Sequence, residues 1–185
     1  MKFCHGLTIN VRGITLLEML VTLAVAAILA AIAVPSFAAI QQNSQRRVAM
    51  DNFWHAIFLA RSEAVKRNSV IAICKSADGI TCNNAAGDWS AGWMVFDNLD
   101  HDEPAQRDDD EPVLQVYAPW HNGHVTSNRQ TFSFRATTQG AVNGTIVFCD
   151  ARGNADARAI IISHTGRPRQ SQRDASNKPL ICPAA

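Results

Sequence analysis

Glu18 is an isolated carboxylate at the start of a long apolar segment, and residues of this kind can do chemistry. The sequence from Met19 to Ile40 contains no charged residue, and the only basic residues before Glu18 are Lys2 and Arg12. A carboxylate at the edge of an apolar span is costly unless it is paired, although a helix N-terminus favours it through the helix dipole. Glu18 is therefore a candidate functional residue. The alternative is an ordinary membrane anchor in which the glutamate only marks the interface.

Arg167 and Arg169 are separated by a single proline and form a second candidate site. Guanidinium groups stay charged and bind phosphate through two hydrogen bonds, and the proline favours an extended loop that holds them at a fixed spacing. Arg173 and Lys178 add charge, so that residues 150–185 carry six basic and three acidic side chains. The pattern predicts a local phosphate-binding surface that does not read bases. A solvated face without a ligand is the alternative.

The segment from Asp97 to Glu111 contains eight acidic residues and one basic residue, Arg107. Clustered carboxylates suit calcium, but the spacing does not match an EF-hand loop, so we expect a solvated, flexible loop. His121 and His124 form a His-x-x-His pattern in a predicted turn, with no glutamate beside them to support a metal site. We find no nucleophile elbow and no phosphate-binding glycine loop, so the sequence predicts neither an enzyme nor a cofactor.

The 22 uncharged residues from Met19 to Ile40 predict a membrane-spanning helix. A helix of this length spans roughly 33 Å, which is enough to cross a bilayer core. Pro35 lies within it, and membrane helices tolerate proline better than soluble helices do. A secretory signal peptide differs, because its apolar core is discarded on cleavage. Charge does not orient the segment, since two basic residues precede it and Arg46 and Arg47 follow it.

The spacing of four features matches that of a known signal: the basic leader, Gly13, Glu18 and Pro35. The N-terminal region resembles the class III signal of type IV prepilins and type II secretion pseudopilins. The resemblance implies that prepilin peptidase cuts after Gly13 and that the new amine of Ile14 is methylated. It also implies that Glu18 pairs with the Ile14 amine of a neighbouring subunit during filament assembly.

The same resemblance predicts three segments. Residues 1–13 form a cleaved leader, residues 14–40 a transmembrane and filament-core helix, and residues 41–185 a periplasmic globular domain. The protein is therefore expected in the inner membrane as a single-pass protein. From there it would join other major and minor pilins in an extracellular pilus.

Four of the five cysteines follow the apolar segment. An even number outside the membrane predicts two disulfides in an oxidising compartment. The local pairing, Cys74 with Cys82 and Cys149 with Cys182, is favoured among the three possible connectivities. On the chain-entropy model these loops contribute roughly 2.5 and 4 kcal/mol. A zinc site is the alternative, but no Cys-x-x-Cys pair supports it.

Beyond the apolar segment, hydrophobic residues recur at three- and four-residue steps from Met50 to Val65, so the helix is expected to continue to Arg67. Short β-branched or aromatic runs then alternate with turn residues. The predicted fold class is α+β and type IV pilin-like, with a long N-terminal helix packed on an antiparallel β-sheet domain. The predicted strands are Val70–Cys74, Gly92–Phe96, Val113–Tyr117, Thr131–Arg135, Thr145–Cys149 and Ala159–Ser163.

Two central segments resemble the FimT/GspH family of minor pilins and pseudopilins. They are residues 60–67, Ala-Arg-Ser-Glu-Ala-Val-Lys-Arg, and residues 92–97, Gly-Trp-Met-Val-Phe-Asp. The resemblance extends over nearly the whole chain.

FimT-type minor pilins that take up DNA carry a Gly-Arg-x-Arg motif near the C-terminus, which Gly166, Arg167 and Arg169 match. The resemblance implies a minor pilin that binds DNA without sequence specificity and contributes to natural transformation, with Arg173 and Lys178 in the site. The alternative within the family is a structural protein without DNA binding. It would be a FimU-like priming pilin or a GspH-like pseudopilin of type II secretion.

Overall fold

The computed structural model describes residues 13, 15–83, 88–137 and 140–183. The predicted leader residues 1–12 and Ile14 lie outside the described residues. Within the described ranges the chain forms one long helix, eight strands and two short 3-10 helices, Trp89–Ala91 and Asn154–Asp156. The helix is α1 (Leu16–Arg67), and the strands are β1 (Val70–Lys75), β2 (Trp93–Asn98), β3 (Val113–Tyr117), β4 (Gly123–Ser127), β5 (Thr131–Phe134), β6 (Gly144–Asp150), β7 (Arg158–Ile162) and β8 (Pro168–Ser171).

Both ends of α1 follow from local sequence. The Thr15 hydroxyl accepts a hydrogen bond from the backbone N–H of Glu18 at 3.2 Å, which is half of a Thr-x-x-Glu capping box. At the other end Asn68 adopts a left-handed conformation with φ of 51° and stops the helix. The helix therefore runs without interruption for 52 residues.

The chain divides into two compact units, Met1–Gln41 and Gln42–Ala185. In the first unit α1 exposes large apolar side chains throughout, among them Leu20, Leu29 and Phe37. The helix is long and apolar enough to cross a membrane. An apolar surface that surrounds the helix in this way suits lipid rather than water.

In the second unit α1 buries one stripe of its surface, and Phe53 lies at the centre of that stripe. The Phe53 ring lies edge-on to four other aromatic rings, at centroid distances from 5.4 to 6.2 Å. Such edge-on pairs stabilise a core beyond the area that they bury. The four rings belong to Trp89, Trp93, Phe132 and Phe148.

The predicted fold class is confirmed, and the strands are shared between two antiparallel four-stranded sheets. The first sheet has the order β3-β2-β1-β5, and the second has the order β4-β6-β7-β8. Both sheets contribute to one core with α1: Ile71 and Val95 come from the first sheet, and Ile146 and Ile160 from the second. The sequence did not show this division, because it depends on which strands pair.

The six predicted strands are present with ends shifted by at most two residues, but β4 and β8 were not predicted. The segment that forms β4 was assigned to a turn, and among its residues only Val125 is fully buried. The segment that forms β8 was assigned to an extended loop, and it carries no large apolar side chain. Strands at the edge of a sheet are often short and carry charged residues or proline, which weakens the alternating pattern.

Each sheet carries a disulfide on the face that is turned away from α1. Cys74 bonds to Cys82 and Cys149 bonds to Cys182, with Cα–Cα distances of 5.6 and 5.8 Å. This is the local pairing that the sequence favoured. The second bond holds Leu180 in a small cluster against β6 and β7.

Candidate functional site

Arg167 lies in the turn between β7 and β8, and Arg169 lies within β8. Residues 163–169 form what we call the arginine hairpin. Gly166 has φ of 71°, a left-handed conformation that glycine adopts without strain. Its N–H donates to the Ser163 carbonyl at 2.8 Å, and the Ser163 N–H donates to the Arg167 carbonyl at 3.1 Å. Pro168 therefore begins an edge strand, whereas the sequence predicted an extended loop.

Gly166 also brings the hairpin against α1. A Cβ at this position would lie 3.3 Å from both Cδ and Nε of Arg61 and 3.2 Å from the Cβ of Ala141. A side chain at position 166 would therefore press on Arg61 as well as strain the turn. In the sequence, Arg61 was noted only as part of the family segment 60–67, and nothing there indicated this contact.

Arg61, Arg135 and Arg167 line one cavity of about 450 Å³. Arg61 comes from α1, Arg135 follows β5, and Arg167 belongs to the arginine hairpin. The walls also include Thr137 and Gly140. Among the described residues, the carboxylate that pairs with one of these arginines is Glu103, whose Oε2 lies 4.0 Å from Nη2 of Arg135.

Arg169 faces away from this cavity. It pairs across the sheet with Ile161, whereas the flanking Ile160 and Ile162 belong to the core beneath α1. Paired residues in an antiparallel sheet share a face, and successive residues alternate, so Arg169 lies on the face opposite α1. The structure therefore brings Gly166 and Arg167 together at the cavity and places Arg169 on the other side of β8.

Most arginine side chains in the described residues are engaged by other groups of the protein. Across the described ranges, the guanidinium groups of Arg61, Arg167 and Arg169 alone make neither an ion pair nor a hydrogen bond. Those three groups are consequently available to an external anion. The engaged arginines are Arg46, Arg47, Arg67, Arg107, Arg129, Arg135, Arg152, Arg158 and Arg173.

Arg173 and Lys178 lie in a tight turn beyond β8. The Asp174 carboxylate accepts a hydrogen bond from the Lys178 N–H at 2.8 Å, and the Arg173 side chain donates to the Asn177 carbonyl at 3.1 Å. Cys182 anchors the end of this segment to β6 through its disulfide. The two predicted DNA-binding residues are therefore held in the C-terminal turn, and neither lines the cavity at Arg61.

Arg46 forms a buried ion pair that the sequence did not indicate. Its Nη1 lies 2.8 Å from Oδ2 of Asp150, and the two side chains are 7% and 2% exposed. Burial lowers the pKa of Arg46, and the charge of Asp150 partly opposes this effect. Burial acts to raise the pKa of Asp150, but hydrogen bonds and charge from Arg152, with the charge of Arg46, lower it overall. The pair joins α1 to the end of β6.

The acidic segment from Asp97 to Glu111 is largely exposed, as predicted, but its two ends are buried rather than part of a solvated, flexible loop. Glu111 is 2% exposed, and its carboxylate accepts hydrogen bonds from the backbone N–H groups of Leu99 at 2.6 Å and Asp108 at 3.0 Å. Asp97 is 5% exposed and accepts a hydrogen bond from the hydroxyl of Ser69. Both ends of the segment are thus part of the folded structure.

His124 lies in β4, whereas the His-x-x-His pattern was assigned to a turn. Its Nδ1 lies 2.7 Å from Oδ2 of Asp88. Oδ1 of Asp88 also accepts hydrogen bonds from the N–H groups of Val125 and Ser90. Asp88 therefore holds the short 3-10 helix Trp89–Ala91 against β4.

The family profile described as Type II transport protein GspH matches residues 49–166. The chain belongs to the GspH family. A second profile, described as Prokaryotic N-terminal methylation motif, matches residues 9–34. Among curated proteins, none matched the chain.

Two crystal structures of the type IV minor pilin FimU from Pseudomonas aeruginosa (strain PAO1) resemble this GspH-family protein in fold. The structure in space group P65 has 19% sequence identity and a TM-score of 0.51, and covers 74% of this chain and 98% of the FimU chain. The structure in space group P21 has 19% identity and a TM-score of 0.50, with coverage of 78% and 96%. The resemblance to the FimT/GspH family that the sequence indicated is confirmed, and the family and fold are those of pilins and pseudopilins.

The methylation motif spans Gly13 and Glu18. It implies processing by prepilin peptidase, anchoring in the inner membrane through the apolar helix and assembly with other pilins. Glu18 lies in the exposed first turn of α1, and its backbone N–H is capped by Thr15. Its carboxylate has no partner within the described residues of this GspH-family protein.

Proposed function

We propose that this protein is a minor pilin of a type IV pilus that binds DNA for uptake during natural transformation. It is cut after Gly13 and anchored in the inner membrane by residues 14–40, with residues 41–185 on the periplasmic side. One observation carries the proposal: the guanidinium groups of Arg167 and Arg169 are exposed and have no partner within the described residues.

The proposed interaction is with the phosphate backbone. Each free guanidinium can donate two hydrogen bonds to one phosphate, and neither requires a particular base. Arg173 and Lys178 follow in the C-terminal turn and supply further charge. With so few phosphate contacts, the affinity is expected to be weak, about micromolar, and to fall with salt.

The test is DNA binding by the full chain in a non-ionic detergent, measured by fluorescence anisotropy with a labelled duplex at about 50 and 150 mM salt. The variant is Arg167→Gln/Arg169→Gln. A matched control is Arg47→Gln/Lys66→Gln, which removes two charges from side chains that are 84% and 73% exposed. Tryptophan fluorescence on heating shows whether each variant is folded.

We expect wild-type binding to weaken with salt. The arginine variant should lose most of the binding and show a salt slope that is shallower by about two, while the control should bind as the wild type does. Equal binding by all three proteins would contradict a DNA site at the arginine hairpin. The protein would then be assigned a structural role, either in pilus priming or, as the matched profile suggests, in type II secretion.

We also propose that Glu18 pairs with the methylated amine of Ile14 on a neighbouring subunit. The exposed carboxylate at the N-terminus of α1 is costly in lipid until it meets a cation. Glu18→Gln should leave the folded domain unchanged but reduce the amount of the protein in sheared filaments. Asp51→Asn, which changes an exposed carboxylate of the same helix, is the control. Normal incorporation of the Glu18 variant would argue against the pairing.

A further inference from the structure

We infer that the cavity lined by Arg61, Arg135 and Arg167 is a phosphate-binding site. On the proposed function, on which this choice of ligand rests, it receives one phosphodiester of the bound DNA. Arg61 and Arg135 are thereby added to the predicted site, and the site extends from the arginine hairpin onto α1.

The charges in the cavity favour an anion. Three guanidinium groups line the cavity, and the carboxylate that pairs with one of them, Glu103, lies at 4.0 Å from Arg135 with both side chains about two-fifths exposed. An exposed pair at that distance neutralises little charge. Arg61 and Arg167 have no anionic partner in the described part of the chain. The cavity therefore holds at least two positive charges that the protein does not compensate.

The backbone that carries these arginines is ordered without a ligand. The Arg135 N–H donates to the Gly140 carbonyl at 2.6 Å, which fixes the chain as it leaves β5. The Arg167 N–H donates to the Ser163 hydroxyl at 3.2 Å. The stem of Arg61 lies against Gly166, where a Cβ would come within 3.3 Å of it. A backbone that is ordered before binding loses less entropy when the ligand arrives.

The cavity is large enough to admit a phosphate group, and its lining is both polar and apolar. Its volume of about 450 Å³ is within the range of small-molecule sites. The buried Phe134 and the exposed side chain of Val65 contribute apolar wall, and Thr137 is also a lining residue. A phosphodiester presents several acceptor oxygens, which can be shared among three guanidinium forks.

The first measurement compares single variants of the full chain in non-ionic detergent. Arg61→Gln and Arg135→Gln each remove one cavity charge, and Arg47→Gln removes an exposed charge from the same helix as Arg61. We expect Arg61→Gln to weaken duplex DNA binding by about tenfold and to reduce the salt slope by about one. Arg135→Gln should act in the same direction, and Arg47→Gln should match the wild type.

The second measurement uses chemical modification of arginine by phenylglyoxal, read by mass spectrometry. Inorganic phosphate and the duplex are each added as protecting ligands. We expect both to slow the modification of Arg61, Arg135 and Arg167 but not that of Arg47. Inorganic phosphate tests the cavity independently of any DNA binding, and melting curves show that each variant is folded.

The outcomes separate this inference from the proposed function. In one outcome, Arg167→Gln/Arg169→Gln abolishes DNA binding, Arg61→Gln does not, and neither ligand protects Arg61. The assignment of the cavity as a phosphate site is then wrong, and the DNA-binding function stands. If the wild type binds no DNA but inorganic phosphate protects all three arginines, the DNA function is wrong and the phosphate site stands with another ligand. Absence of both DNA binding and protection overturns both.

Discussion

The acidic segment from Asp97 to Glu111 and the arginine hairpin both stand out in the sequence as concentrations of charge, and the fold uses them in opposite ways. Glu111 is buried and accepts hydrogen bonds from the backbone N–H groups of Leu99 and Asp108. In the hairpin the guanidinium groups of Arg167 and Arg169 have no partner in the described residues. The charge that a sequence contains is therefore not the charge that a protein offers to a ligand.

Side-chain length explains much of this difference. Asp and Glu carry acceptor oxygens on short stems, so a carboxylate in a folded loop can accept hydrogen bonds from backbone N–H groups of that loop. Arg167 and Arg169 have long stems that carry the charge away from the backbone into water. Moreover, an arginine has no acceptor atom, so it cannot satisfy the N–H groups of its own turn.

The largest effect on stability should come from a charge that is both buried and paired. Asp150→Ala removes the carboxylate that Arg46 shares with Arg152. It leaves the Arg46 guanidinium with hydrogen bonds to neutral oxygens only, in a site that is 7% exposed, so we expect a loss of about 3–5 kcal/mol in the free energy of unfolding. Urea unfolding followed by tryptophan fluorescence measures this loss. The double variant Arg46→Met/Asp150→Leu should be less destabilised than the single variant. A loss of less than about 1 kcal/mol for Asp150→Ala would show that the fold does not depend on this buried ion pair. The contrast between buried charges that stabilise the fold and exposed charges that are free to bind a ligand would then fail.

Glu111→Ala should have the next largest effect, about 2 kcal/mol. The substitution leaves two backbone N–H groups of the acidic segment without their acceptor, at Leu99 and Asp108. Asp109→Ala removes an exposed carboxylate of the same segment and should change the free energy of unfolding by about 0.5 kcal/mol or less. Equal effects of the two substitutions would mean that the hydrogen bonds to Glu111 contribute no more to stability than an exposed carboxylate of the same segment does.

Gly166→Ala should destabilise the fold by about 1–2 kcal/mol. A non-glycine residue is strained at φ of 71°, and the added Cβ presses on Arg61. A suitable comparison is the same substitution in an Arg61→Ala background, which keeps the backbone strain at position 166 and removes the atoms that the added Cβ would meet on Arg61. In urea unfolding, a smaller loss for Gly166→Ala in the Arg61→Ala background than in the wild type would reveal the contact with Arg61, and equal losses would show that only backbone strain matters.

Acid should weaken the fold partly through Asp150. Its pKa in the folded protein lies below the usual 3.8, so the unfolded chain binds the proton more readily. The stabilisation is therefore fully present above the unfolded pKa and is lost as the pH falls through the folded pKa. Melting temperatures measured from pH 7 down to about pH 2.5 should converge for wild type and Asp150→Asn. A constant difference across that range would show that the pKa is not lowered by folding.

The smallest effect on stability is expected from the free arginines. Arg167→Gln/Arg169→Gln should change the free energy of unfolding by about 0.5 kcal/mol or less, because neither side chain has a partner to lose. The same variant is expected to lose DNA binding. A loss of stability above about 2 kcal/mol would mean that the fold depends on these arginines. The contrast between the buried, hydrogen-bonded Glu111 and the exposed arginines would then fail.

The sequence predicted those features that depend on periodicity or on counting. The three- and four-residue steps around Phe53 gave the globular half of α1, and the even number of cysteines gave the disulfides. Six strands were predicted because their apolar or β-branched residues mark them. Each of these signals can be recognised without knowing which distant segments of the chain pair with each other.

The features that were missed depend on pairing between distant segments. Arg46 and Asp150 lie far apart in the sequence, and Arg46 was considered only as a charge beside the membrane segment. Likewise, the contact between Arg61 and Gly166 exists only because the second sheet packs on α1. The strand β8 was missed because it has no apolar pattern of its own. What defines it is its pairing with β7.

The position of β8 at the edge of its sheet gives the arginine motif a second consequence. An open edge can recruit a strand from another copy of the protein, and Pro168 and Arg169 both oppose such pairing, the first by lacking an N–H and the second by its charge. Protection against aggregation alone would thus be a reason for a chain that never meets DNA to keep the sequence Gly-Arg-Pro-Arg.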